Sequence, residues 1–378
     1  MTKKDLAEIR RRFNLERHNI TVIRGCYVNG QGQPIASFSH APINLRKEDA
    51  EKYFAIFRRT LSGEMDQNLI TVDFTPEQVM NGREHALLMA LRDCALRDDE
   101  LVDAFFEETA ASLPKEQNGH HLILLIHDGY DLPHKNKNGE KDMDASGEVF
   151  HYLLCSVCPV KLTKPALAYE PRENDFTSSE GDWTVSMPET GFLFPCFEER
   201  AANIYAALCY TRDTAAPYSA LIPAFFGAEP PMPAALQKEA FQTILQDTLG
   251  EDCSLEVMQA VQEQVMDKIA VQKEEKRPEP PRLEKREVVA ALNDCGVAPE
   301  KQAAFSEEFD RQFGEAAAMH VGNIMSPRQF QVKTPSVTIS VAPDRSDLLQ
   351  TRIIDGHPYI LIRAEEGVAV NGVEVNIQ

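Results

Sequence analysis

Apolar residues in this chain recur at two spacings, and the switches between them mark out its elements. ITVIRGCYVNGQGQPIASFSH has β-branched residues before the Gly-rich stretch Asn29 to Gln33 and alternating apolar positions after it, which predicts a hairpin. From Lys47 the spacing turns helical, with Tyr53, Phe54, Ile56, Phe57 and Leu61 on one face and a stop at Gly63. Asn68 to Phe74 reads as a strand, and Thr75-Pro76-Glu77-Gln78 as a helix start with Thr75 as N-cap and Gln78 closing a capping box. Helical spacing continues through His85 to Ala95 and again from Asp98, where Leu101, Val102, Phe105 and Phe106 share a face.

Leu122 to Ile126 is a short, continuous apolar run, the pattern of a buried strand, and FHYLLCSVCPV is a second. About twenty residues rich in Asp, Lys, Asn and Gly separate them, long for a connection without structure of its own. Trp183 to Met187 and Phe192 to Phe194 suggest a hairpin, and Glu198 to Tyr210 a further helix. A Pro-rich joint at 223–233 leads to two amphipathic helices, one carrying Leu236, Phe241, Ile244, Leu245 and Leu249, the other Leu255, Met258, Val261, Val265 and Ile269. QKEEKRPEPPR then predicts an extended hinge and the clearest domain boundary, followed by a helix pair across Gly296. Short strands divided by Pro, Asp-Gly, Gly and Asn-Gly signals close the chain. The expected class is α+β: an N-terminal domain over 1–227 with a mixed or antiparallel sheet, a helical region over 232–320 hinged near 276–283, and a small all-β module over 326–378.

The chain has 378 residues and a formal net charge of −20, so it favours solubility and repels a phosphate backbone as a whole. The opening stretch departs from that balance. Lys3, Lys4, Arg10, Arg11, Arg12 and Arg17 outnumber Asp5, Glu8 and Glu16, either as a solvated helix face with Glu8 paired to Arg12 or as a local anion or RNA contact. The helix after Gly296, EKQAAFSEEFDRQFGE, is acidic where a DNA-reading helix is basic. The N-terminus has no signal-peptide core, and no run approaches the roughly 18 apolar residues of a membrane span. Eight dispersed cysteines fit a reducing cytoplasm better than a secreted disulfide framework.

Candidate chemistry concentrates at the end of the Leu122 to Ile126 run. His127, Asp128, Asp131 and His134 offer imidazole and carboxylate, the donors of a divalent metal site, with Asp128 or Asp131 as ligand or base. On an extended strand, however, His127 and Asp128 point to opposite faces. The loop after His134 places Asn136, Asn138 and Gly139 at EF-hand spacing, but His134 and Ala145 stand where the first and last carboxylates belong, which argues against calcium and for a turn at Asn138-Gly139. Cys155-Ser156-Val157-Cys158 has the spacing of a dithiol or half a zinc site, yet it lies inside an apparent strand and no second CxxC follows. P-loop, dinucleotide and serine or cysteine nucleophile signatures are absent, so no cofactor is indicated beyond that divalent metal.

VIRGCYV, FRRTLSG, LLIHDGYDLP, YLLCSVCPVKLTKPALAY, GFLFPCFEERAANIY and RIIDGHPYILIRAEEGVAVNGV together resemble an uncharacterised family of cytoplasmic proteins from Clostridia and related Gram-positive bacteria, catalogued as a domain of unknown function. The resemblance implies a bacterial cytoplasmic protein and carries over no catalytic residue. The expectation is a non-enzymatic binding or regulatory protein acting through a protein partner. A metal-dependent hydrolase at the strand end is the alternative, and RNA contact through the basic N-terminus a weaker one.

Overall fold

In a computed structural model the chain divides into two compact units, Met1–Pro233 and Ala234–Gln378. The structure describes all residues except 116–118, 133, 136–140, 143–148, 171, 173, 199, 216–219, 276–279, 365–366 and 376–378, together with the side chains of 134, 135, 141, 142 and 179. The first unit runs α1 (Lys3–Arg10), β1 (Ile23–Val28), β2 (Pro34–His40), α2 (Lys47–Thr60), β3 (Leu69–Asp73), α3 (Pro76–Asn81), α4 (Arg83–Asp93), α5 (Asp99–Ser112), β4 (His120–Asp131), β5 (His134–Lys135) and β6 (Lys141–Asp142). It continues with β7 (Val149–Leu162), β8 (Ala166–Glu170), β9 (Asp175–Ser179), β10 (Trp183–Val185), β11 (Thr190–Phe194), β12 (Cys196–Glu198), β13 (Ala201–Asn203) and β14 (Ala206–Thr211).

Eight of these strands form one sheet in the order β2-β1-β4-β7-β11-β14-β3, with β10 also paired to β7. All its pairings are antiparallel. Helices cover both faces, which is why β4 and β7 read as continuous apolar runs and not as alternation. On one face Leu6 and Ile9 of α1 and Phe54 and Phe57 of α2 pack with Leu124, Ile126, Tyr152 and Leu154. On the other, Leu88 and Leu91 of α4 and Phe105 and Phe106 of α5 pack with Ile123, Leu125, Leu153 and Phe192. The fold class is α+β. The capping box at Thr75 and Gln78 forms as the sequence predicts.

Two expectations fail here. Trp183–Val185 and Thr190–Phe194 do not pair with each other; they lie one after the other along the same edge of β7, opposite Val160–Leu162 and Leu153–Val157. Among the described residues of 198–210 there is no helix. Their Glu, Arg and Ala content favours one locally, but Ala206–Thr211 is buried along its length between β11 and β3, and tertiary pairing overrides so weak a preference.

The second unit holds α6 (Ala234–Leu249), α7 (Leu255–Glu275), β15 (Arg282–Glu284), α8 (Lys285–Asp294), α9 (Pro299–Phe313) and β16 (Ala318–His320). The stripes of α6 and α7 meet those of α8 and α9 in one core containing Phe241, Leu245, Val261, Val265, Leu292, Phe305 and Phe309. Residues on both sides of 276–279 therefore share one core, and the chain divides instead at Pro233. Three hairpins follow: β17 (Phe330–Lys333) with β18 (Thr338–Val341), β19 (Leu349–Ile354) with β20 (His357–Ile362), and β21 (Ala369–Val370) with β22 (Val373–Glu374). Asp355-Gly356 turns the second with φ of 48° and 79°, the paired positive values a two-residue hairpin loop demands. Both faces of that ribbon are largely exposed, Ile353 at 79%. No helix among the described residues is long and apolar enough to cross a membrane.

Candidate functional site

The end of β4 separates its polar residues by the two-residue period of a strand. Asp128 turns toward the α1 face and has no solvent exposure. Its Oδ2 accepts from Arg12 Nε at 2.8 Å and from the Tyr152 hydroxyl at 2.7 Å. Its Oδ1 accepts from the Asn19 backbone N–H at 2.7 Å and from Arg12 Nη2 at 3.2 Å. A carboxylate offers about four lone-pair directions, so the group is saturated. Arg12 also donates to the Gly129 carbonyl at 3.0 Å and lies over the Tyr130 ring, 4.7 Å from its centre. Burial pushes the Tyr152 hydroxyl pKa well above its ordinary value, and the neighbouring Asp128 charge adds to the rise. Tyr152 thus remains a donor to Asp128.

This cluster corrects the reading of the basic N-terminus as a solvated face at Arg12, whereas Lys3, Lys4, Arg10, Arg11 and Arg17 are exposed. α1 ends at Arg10, and Arg12, two residues on, is 11% exposed and paired to Asp128. Glu8, expected to pair with Arg12, instead accepts from the Tyr130 hydroxyl and pairs with Arg200 at 3.3 Å. Nothing in the local sequence distinguishes Arg12 from Arg10 or Arg11. Only the long-range approach of β4 does.

His127 turns to the other face. Its ring stacks on His151 with centres 5.2 Å apart and planes inclined by 14°, and the two rings share a 3.2 Å contact between His127 Nε2 and His151 Nδ1. Burial, then the neighbouring His151, lowers the His127 pKa to about 4, so the ring is neutral at ordinary pH. Asp131 is exposed at the end of β4 opposite Val149. His134 begins β5 opposite Asp142; its side chain, and the Asn138-Gly139 turn, lie outside the described residues. His127, Asp128 and Asp131 are therefore not brought together.

Cys155 and Cys158 are three residues apart on β7, an odd separation that sends them to opposite faces. Cys155 packs with Ile123, Leu125 and Phe192 on the α5 side, and Cys158 with Leu122, Leu208 and Tyr210 on the α2 side. Burial raises both thiol pKa values, that of Cys158 to about 12 and that of Cys155 further, so both are protonated. Among the described residues no three His, Cys, Asp or Glu side chains gather closely enough to hold a metal ion.

A different constellation stands at the opposite end of β4, and the sequence reading passed over it. The Tyr27 hydroxyl hydrogen-bonds His120 Nδ1 at 2.8 Å, and the His120 ring lies 4.5 Å from that of Trp183, the chain's one tryptophan. Trp183 is 51% exposed beside its cross-strand partner Leu162 at 50%. The β8–β9 hairpin, inserted between β7 and β10, carries Leu167, Tyr169 and Phe176, all exposed and with the last two directly opposite one another. The available signal was a lone tryptophan followed by Thr184 and Val185 after a Gly-Asp turn.

The fold and these two clusters define an α+β protein with a saturated ion pair inside its sheet and an aromatic surface at the sheet's far end. The chain matches, over residues 1–373, a family described as a domain of unknown function, DUF4317, and it belongs to that family. No curated protein and no solved structure matches it.

Proposed function

We propose that the protein is a non-enzymatic binding or regulatory protein whose partner is another protein, docking on the surface of Trp183, Leu162, Leu167, Tyr169 and Phe176. The carrying observation is the exposure of the single tryptophan, braced from behind by His120 and Tyr27. Large aromatics cost little conformational entropy when they bury on binding and dominate interface energetics. Large apolar residues left in water on the β7–β10 pair and on the hairpin inserted between them are the kind of surface such an interface requires. The hydrolase alternative loses support at Asp128, whose oxygens are fully occupied by Arg12, Tyr152 and Asn19. A reducing cytoplasmic setting belongs to this reading, and eight unpaired cysteines support it.

The test compares proteins cross-linked in cells to the full chain and to two variants, Trp183→Ser and Leu167→Asp/Phe176→Asp. A specific partner captured by the native chain, lost from both variants and shifting Trp183 fluorescence when purified and added back, is the expected result. Equal capture by all three chains would sink the proposal.

A further inference from the structure

A second surface of the first unit has the opposite character. A recess of about 510 Å³ is lined by Arg10 at the end of α1, by Arg58, Arg59 and Ser62 at the end of α2, and by Met187 and Arg212 from the segments flanking β11 and β14. Four arginines thus line one recess in a protein of net charge −20. Two of them are partly committed elsewhere. Arg58 donates to the Phe13 carbonyl and lies 3.4 Å from Glu51, and Arg212 lies 3.7 Å from Glu189. Among the described residues, Arg10 and Arg59 have no carboxylate partner, and both are exposed. The Tyr210 hydroxyl is buried beside Arg59 and Arg212.

Helix dipoles account for part of this arrangement. Arg10 is in the last turn of α1 and Arg58 and Arg59 in that of α2, where cations oppose the negative helix end. The dipole does not explain Arg212, which follows β14 and reaches the same recess from the sheet. Nor does it explain why two helix ends and a strand end bring four arginines to one recess, where Glu51 and Glu189 offset only part of their positive charge.

We infer that this recess binds the phosphate group of a small phosphorylated molecule. Four arginines lining one recess from three parts of the fold suit a dianionic, tetrahedral group better than a single carboxylate, which would leave most of the charge unmatched. Ser62 adds a neutral hydroxyl at the rim, and Met187 an apolar wall for whatever carries the phosphate. A long polyanion is disfavoured because the surrounding chain is strongly acidic. The site uses no residue of the Trp183 surface, so the two proposals stand or fall separately.

Calorimetric titration of the full chain with inorganic phosphate, and then with adenosine monophosphate, at constant ionic strength is the experiment. Both should bind saturably. Arg59→Gln and Arg212→Gln should each weaken binding about tenfold or more, as expected for loss of a charge-assisted hydrogen bond. Lys164→Gln, an exposed cation elsewhere on the unit, should bind like the native chain. Arg10→Gln, on an exposed helix end, supplies a third reading should Arg59→Gln or Arg212→Gln fold poorly. Absence of saturable binding, or equal affinity in native and arginine variants, would overturn the inference. So would binding confined to a single-stranded RNA oligomer, which would mark the recess as a polyanion contact.

Discussion

Arg12 and Asp128, 116 residues apart in sequence, meet through two hydrogen bonds inside the first unit and tie the N-terminal segment to the central strand β4. The pair is buried on both sides, with Arg12 11% and Asp128 0% exposed. Removing one partner strands the other charge, the costly way to break a buried ion pair.

Arg12→Met and Asp128→Asn should therefore each destabilise the first unit by about 3–5 kcal/mol. Together they should cost less than the sum, because the second substitution removes a charge already orphaned by the first. Urea unfolding of the four chains measures this. Additive losses would mean that the two side chains do not act as a pair.

Acid should weaken the fold through His127. In the folded chain its ring stays neutral down to about pH 4, whereas in the unfolded chain it takes up a proton near its ordinary value of about 6.5. Between those limits the unfolded state holds more protons, so stability falls as pH drops from about 6.5 to about 4, by up to ~3 kcal/mol. His18, whose pKa burial also lowers, acts in the same direction. His127→Gln should flatten the slope in that window, and parallel pH profiles for native and variant chains would contradict the assignment.

Gly191 lies where β11 crosses the buried hydrogen bond between Thr60 Oγ1 and Ser156 Oγ, 2.7 Å long. A Cβ there would come within 2.3 Å of the Cys155 carbonyl oxygen and 2.8 Å of Thr60 Cγ2. Backbone on one side leaves little room to yield, so Gly191→Ala should cost about 1–3 kcal/mol or more through overpacking. Thermal unfolding reads it directly.

Thiol chemistry should follow exposure and ignore the CxxC spacing. Cys295 should react first with a disulfide reagent in the native chain, Cys94 and Cys253 more slowly, and Cys26, Cys155, Cys158, Cys196 and Cys209 only on unfolding. Chelator should leave the melting midpoint unchanged, since Cys155 and Cys158 lie on opposite faces. Zinc at one equivalent, lost with Cys155→Ser, would refute this.

What could be read from the residues was whatever is decided locally. The box at Thr75 and Gln78, the aromatic face of α5, the buried runs of β4 and β7 and the turn at Asp355-Gly356 each follow from a few neighbouring side chains. The alternation rule also separated His127 from Asp128 before any coordinates. Pairing between distant strands was not legible: it converts 206–211 from an apparent helix to a strand and sets Trp183 beside Leu162. The Asp128 cluster was half visible, with the acid noticed and its partners missed, because Arg12 and Asn19 come from the N-terminal segment more than a hundred residues away and Tyr152 from the next strand.

The β19–β20 ribbon has a consequence for life at high concentration. A two-residue loop makes Ile354 and His357 the hydrogen-bonded closing pair, so the next pair, Ile353 and Pro358, directs its backbone groups outward. At that position an ordinary residue would present an N–H to any strand drifting past, and proline has none. Pro358 thus blunts one edge of an exposed, Ile-rich ribbon and guards against self-association of a kind that would compete with every proper contact the chain makes.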